Sequence, residues 1–126
     1  MEEIKKMRSR NLYDSFVHAS VGIRDALKKE PNLRIHLFMS VLAISGAIYL
    51  KFNFLEWAII VLTIALVFIL ELINTTMETV VDIVSPEIKE KARVAKDVSA
   101  AGVLLAAITS LFVAGLLYIP KIILLF

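Results

Sequence analysis

Polar residues recur at a regular spacing in the segment ELINTTMETVVD, which runs from Glu71 to Asp82 in an otherwise apolar part of the chain. The later members fall 3, 4, 7 and 11 positions after the first; the set is Glu71, Asn74, Thr75, Glu78 and Asp82. On an α-helix, at about 100° per residue, these positions lie within an arc of about 100°. Carboxylates, an amide and a hydroxyl therefore share one helix face, which we call the acidic face.

The acidic face has more than one chemical interpretation. Carboxylate and amide oxygens suit a hard cation such as Mg²⁺, and a carboxylate can also act as a general base. Acids at bilayer depth also mark proton or cation pathways. The remaining interpretation is a structural network of ion pairs with Lys96, Arg93 or Arg34. The spacing alone leaves these interpretations open.

The composition indicates that the acidic face belongs to a membrane protein. The chain has 126 residues, of which 59% are hydrophobic, and its mean hydropathy is +0.80. Soluble domains are about 45–50% apolar, so an ordinary soluble enzyme and a disordered chain are both excluded. The absence of cysteine excludes disulfides and zinc–thiolate sites. The net charge of +2 argues against a nucleic-acid partner.

Uncharged runs predict three transmembrane helices in a single all-α domain over residues 1–126, at about 33–50, 54–84 and 97–120. The longest run, 98–120, has 23 residues and can cross about 30 Å of hydrocarbon. Ahead of these spans, apolar residues at steps of three and four predict an amphipathic surface helix at about 11–30, which Pro31 ends. No cleavable signal peptide is visible.

Basic residues predict the orientation of these spans. Twelve lie before the first span, at its start or in the 85–97 loop, against two on the other side; the twelve include Lys5, Lys6, Arg8 and Arg10. We therefore expect a multi-pass protein of the plasma membrane, with the N-terminus and the acidic face cytoplasmic and the C-terminus outside.

Small residues on the third span predict close helix packing. They recur every four positions, as Gly102, Ala106, Ser110 and Ala114. Three spans alone cannot shelter all the polar groups of the acidic face. We therefore expect a homo-oligomer with its sites between subunits.

The acidic face also resembles a known family, the small prokaryotic membrane lipid kinases, which include diacylglycerol kinase and undecaprenol kinase. The segment from Glu71 to Asp82 is close to the family pattern E-x-x-N-T-x-x-E-x-x-x-D. The spacing to Ala95-Lys96-Asp97 agrees, and so does Glu30 followed four positions later by Arg34. The resemblance covers about residues 12 to 120. It implies a trimer of three-span subunits that transfers the γ-phosphate of ATP to a lipid hydroxyl.

The resemblance also implies roles for individual residues. Glu71 would be the general base, and Glu30 and Glu78 would hold Mg²⁺ together with ATP. The nucleotide site would be lined by the remaining matched positions, which are His18, Gly22, Asn74, Asp82, Lys96 and Asp97.

The resemblance favours undecaprenol as the lipid substrate. Residues 15–19, Gly22-Ile23, Asn32, His36 and Glu56-Trp57 look more like the Gram-positive undecaprenol kinase branch. Diacylglycerol is the alternative substrate. An alternative of another class is a small ion or proton transport protein that uses the acidic face as its path.

Overall fold

The structure is a computed structural model that describes residues 11–87 and 89–126. Over these residues the chain forms α1 (Leu12–Lys29), α2 (Pro31–Tyr49), α3 (Phe54–Val84) and α4 (Glu90–Ile123). Helices α2, α3 and α4 are each long and apolar enough to cross a membrane. This confirms the predicted all-α class with three apolar helices. The predicted cytoplasmic cations Lys5, Lys6, Arg8 and Arg10 lie outside the described residues.

Glu30 joins α1 to α2, because it caps the end of one helix and the start of the next. Pro31 takes the first position of α2, where its missing N–H removes no intrahelical hydrogen bond. Arg34 Nη1 donates to the carbonyl oxygens of Leu27, at 3.1 Å, and Lys28, at 3.0 Å. These carbonyls have no partner inside α1, so the guanidinium group stabilises the corner. Arg34 is thus engaged with backbone, although it was a candidate partner for the acidic face.

Helices α3 and α4 are longer than a bilayer requires. They contain 31 and 34 residues, which at 1.5 Å per residue is about 46 and about 51 Å, against about 30 Å of hydrocarbon. They also form the most extensive helix pair among the described residues. The excess length lies at the C-terminal end of α3 and the N-terminal end of α4, where the charged residues are concentrated. The acidic face is therefore carried on a rigid extension of two packed helices.

Aromatic packing closes the opposite end of the bundle, which we call the aromatic end. Ala47, Phe52 and Ile60 form its buried cluster. The Phe52 ring centroid lies 4.9 Å from that of Tyr118 and 6.2 Å from that of Trp57. Because these rings come from the α2–α3 turn, α3 and α4, the packing holds all three apolar helices together.

An ion pair at the aromatic end joins α4 to the start of α3. Lys121 Nζ lies 2.9 Å from Glu56 Oε2, and both side chains are half-buried. Glu56 also forms a capping box with Asn53, in which each side chain bonds to the other residue's backbone N–H. The turn before this cap contains Lys51 in the left-handed region, with φ 53°. The ion pair thus fixes a turn that has a constrained backbone.

Replacing Tyr118 with phenylalanine should lower the stability of the bundle by about 1 kcal/mol. The Tyr118 hydroxyl donates to the carbonyl oxygen of Ala43, and this hydrogen bond links α4 to α2. The measurement is unfolding in detergent micelles by denaturant. Tyr49→Phe is the matched control, since the Tyr49 side chain is 76% exposed. Equal losses of stability in the two variants would mean that the hydrogen bond contributes nothing.

Much of the outer surface of the bundle is apolar. Leu62 and Phe112, on α3 and α4, are 70% and 71% exposed, as suits contact with lipid or with another subunit. The apolar residues Leu12, Phe16 and Ile23 of α1 are exposed as well. The location of α1 on the membrane surface stays a prediction.

Candidate active site

Glu71 is a buried charged residue within the apolar part of α3. Only 3% of its surface is exposed. Of the polar and charged residues that the structure describes, Glu71 is the one that is buried. His36 Nε2 from α2 lies 3.1 Å from Glu71 Oε1. The two groups are not aligned as a hydrogen bond, so this enclosed oxygen lacks a hydrogen-bond partner. Leaving such an atom unsatisfied is costly, which makes Glu71 a candidate for function rather than for packing.

Two further carboxylates lie near Glu71. Glu30, at the joint of α1 and α2, and Glu78, further along α3, are both within electrostatic range of Glu71. We call these three residues the carboxylate group. Asn74 Nδ2 donates to Glu78 Oε1 at 3.3 Å, while the enclosed Asn74 Oδ1 has no partner. Like charges at such positions repel one another, so the arrangement favours binding of a cation.

The carboxylate group can bind a metal ion only if another molecule supplies further ligands. Within residues 11–87 and 89–126, no three acidic or histidine side chains are gathered closely enough to hold a metal ion. A cage built wholly from protein side chains is thus absent there. Mg²⁺ in phosphate-transfer sites usually takes one or two carboxylates together with water and phosphate oxygens. Glu30 and Glu78 can provide such carboxylates.

A second polar cluster lies where α3 ends and α4 begins. Lys96 forms an ion pair with Asp82, and Arg93 pairs with Glu90 and, at 2.6 Å, with Asp97. One interpretation of the acidic face was a network of ion pairs with basic residues. Within the described residues this interpretation holds for Asp82, which pairs with Lys96, and not for the carboxylate group. Most of these side chains are exposed, and exposed pairs contribute about 0–1 kcal/mol. An anionic ligand can thus replace the acidic partners at small cost.

A groove runs between α1 and α3. It has a volume of about 500 Å³, and its lining includes Gly22, Lys29 and Thr75. A Cβ atom added to Gly22 would meet nothing within 4 Å, so the position faces open space. Lys29 Nζ donates to Thr79 Oγ1 at 3.3 Å and connects the two walls. His18 also lies on α1 but is not among the residues that line this groove.

Sequence reasoning missed two residues that contact α3. His36 appeared only in the resemblance to one lipid kinase branch, and Lys29 only as one of the twelve basic residues that predict the orientation. Each touches α3 from a different helix, so periodicity within one segment does not link them to it. His36 is a polar residue at the start of an apolar span, and this position was the signal in the sequence that could have indicated a functional role.

Comparison with known proteins shows that the chain is similar to lipid kinases. The family model for prokaryotic diacylglycerol kinases matches residues 17–118. A diacylglycerol kinase of Synechocystis sp. is 42% identical over 113 residues, which are 89% of this chain but 65% of that protein. An undecaprenol kinase of Bacillus subtilis is 33% identical over 110 residues, 87% of this chain and 89% of that protein. A diacylglycerol kinase of Helicobacter pylori is 29% identical over 106 residues, 84% and 83% of the two chains.

Proposed function

Because the chain belongs to the prokaryotic diacylglycerol kinase family, we propose that it transfers the γ-phosphate of ATP to the hydroxyl group of a membrane lipid. The observation that carries this proposal is Glu71, a buried carboxylate whose enclosed oxygen has no hydrogen-bond partner. It lies on a helix that is apolar enough to cross a membrane. A lipid can therefore keep its tails in the bilayer while its hydroxyl group reaches Glu71.

In the proposed reaction Glu71 acts as the general base. It takes the proton of the lipid hydroxyl as the lipid oxygen forms a bond to the γ-phosphorus atom. The bond from that phosphorus to the bridging oxygen breaks, and ADP leaves with the electron pair. The products are a lipid phosphate, ADP and the proton, which Glu71 holds first. Such a transfer depends on positioning and charge neutralisation, and burial of Glu71 keeps water from competing with the lipid.

Glu30 and Glu78 would hold Mg²⁺ bound together with ATP. When bound, Mg²⁺ would neutralise charge on the phosphates. Asn74 orients Glu78 through the bond from Nδ2 to Oε1. Glu71 would therefore transfer the proton, and Glu30 and Glu78 would bind the nucleotide through Mg²⁺.

The remaining predicted residues form the proposed nucleotide site. Lys96 would exchange its exposed partner Asp82 for a phosphate, and Asp97 lies next to it on α4. Gly22 leaves room in the groove beside α3. His18, on the same helix as Gly22, would also contact the nucleotide.

We place this site on the cytoplasmic side of the plasma membrane, with the C-terminus outside. The support is the excess of twelve basic residues over two. We also propose a homotrimer with sites between subunits. Its support is the exposed apolar surface of the bundle, together with the small residues that recur along α4.

We propose undecaprenol as the lipid. The support is the set of matched residues in α1 and at the starts of α2 and α3, and the 33% identity to the Bacillus subtilis undecaprenol kinase. Diacylglycerol is the second candidate, because the Synechocystis relative with that named activity is 42% identical.

An assay with labelled ATP tests both the proposed kinase function and the proposed lipid substrate. The purified chain in lipid vesicles should phosphorylate an added lipid only when Mg²⁺ is present, and undecaprenol faster than diacylglycerol. Comparable or faster turnover of diacylglycerol would overturn the preferred lipid alone. The absence of lipid phosphate with every lipid would overturn the kinase function. Ion flux without ATP in the same vesicles would support the transport alternative instead.

A further inference from the structure

We infer that His36 is a positioning residue for Glu71, and that it sets the rate of the phosphoryl transfer without binding ATP. The inference rests on the proposed function. Its structural basis is a contact between two helices. His36 on α2 places Nε2 3.1 Å from Oε1 of Glu71 on α3.

Both side chains of this pair are shielded from water. The His36 side chain is 23% exposed and that of Glu71 is 4% exposed. An interaction between such groups is stronger than one at the surface. The contact therefore restrains the carboxylate in a way that an exposed ion pair does not.

The surroundings of His36 leave Glu71 as its polar partner. His36 also lines a partly open cavity of about 120 Å³ between α2, α3 and α4. Hydroxyl groups on the cavity wall donate to carbonyl oxygens of their own helices, at 2.7 Å for Ser40, 2.8 Å for Thr63 and 2.7 Å for Ser110. Those groups are satisfied locally. Of the polar side chains around this cavity, His36 is the one that reaches Glu71.

The contact has a direct consequence for a general base. If the ring aligns so that an N–H on Nε2 donates to Oε1, it would fix the plane of the carboxylate and leave Oε2 to accept the proton of the lipid hydroxyl. Hydrogen bonds at such sites are often poorly aligned before the substrate binds and tighten in the complex. Loss of orientation at a reacting group can lower a rate about 100-fold.

The kinetic test compares three variants with the unvaried chain. His36→Ala should lower kcat by about 10- to 100-fold, with KM for ATP changed less than about twofold, because His36 contacts Glu71 and not a residue proposed to bind the nucleotide. His36→Gln keeps an N–H donor and should recover part of the loss. Ser40→Ala removes a polar group from the same cavity wall, and its kcat should stay within about twofold of the unvaried chain. Equal kcat for His36→Ala and the unvaried chain would overturn the inference.

Nuclear magnetic resonance of histidine rings gives a readout that does not need activity. The chain has two histidines, so labelling of the ring nitrogens yields two sets of signals. Glu71→Gln should shift the His36 signals and leave those of His18 in place. Unchanged His36 signals would overturn the contact itself. Thermal unfolding of each variant separates misfolding from loss of positioning.

Failure of the two proposals can be told apart. If the unvaried chain phosphorylates no lipid, the proposed function fails, and with it the role of His36 in the transfer. If the unvaried chain is active while His36→Ala is equally active, only the role of His36 fails.

Discussion

Replacing Glu71 with glutamine is expected to lower kcat by about 100- to 10,000-fold, the range typical for loss of a general base. This corresponds to about 3–5.5 kcal/mol of transition-state stabilisation. Glutamine has the shape of glutamate but cannot take the proton of a lipid hydroxyl at neutral pH. The side chain is buried, so removing its charge also relieves a desolvation cost. The variant should therefore fold at least as well as the unvaried chain.

The control for this variant is Glu56→Gln. Glu56 lies on the same helix but at the aromatic end, where it pairs with Lys121. Its kcat should stay within about twofold, while its stability falls. Steady-state assays with labelled ATP measure kcat, and denaturant unfolding measures stability. Turnover by Glu71→Gln within tenfold of the unvaried chain would show that another group takes the proton.

Replacing Glu78 with glutamine should give a different kinetic signature. The Mg²⁺ concentration for half-maximal activity should rise at least about tenfold, the lower end of losses seen when groups around a metal are altered. The amide oxygen of glutamine can still accept the hydrogen bond from Asn74 Nδ2. The change therefore removes charge while it retains the local contact, and high Mg²⁺ should restore part of the activity.

Glu87→Gln is the matched control for charge at the same end of the molecule. Glu87 is an exposed residue in the α3–α4 connection, and its loss changes the net charge equally. Its Mg²⁺ dependence should be unchanged. A comparable shift in both variants would assign the effect to general electrostatics. No shift in Glu78→Gln would remove Glu78 from the proposed metal site.

The three apolar helices could be predicted because each contains a run of uncharged residues that only a membrane or a large core can accommodate. The bounds were harder to predict. α4 begins at Glu90, although the apolar pattern begins near residue 97. Residues 90–96 are largely polar and extend past the hydrocarbon, so an argument from hydrophobicity does not detect them.

The acidic face was predictable to the extent that it lies on one helix. The spacing of Asn74 and Glu78 at four positions leads directly to their hydrogen bond. The contact of His36 with Glu71 was not predictable in this way, since it depends on how α2 packs against α3. The choice of partner for each cation was also unpredictable. Arg34 bonds to carbonyl groups of α1 instead of to acids.

The two ends of the bundle contain polar and aromatic contacts of different strength. At the aromatic end, burial of Phe52 alone is worth about 1.5–3 kcal/mol. At the other end, exposed contacts such as Asp82 with Lys96 contribute about 0–1 kcal/mol each. The ion pairs between α3 and α4 can therefore exchange partners at small cost while the packing of the two helices stays intact.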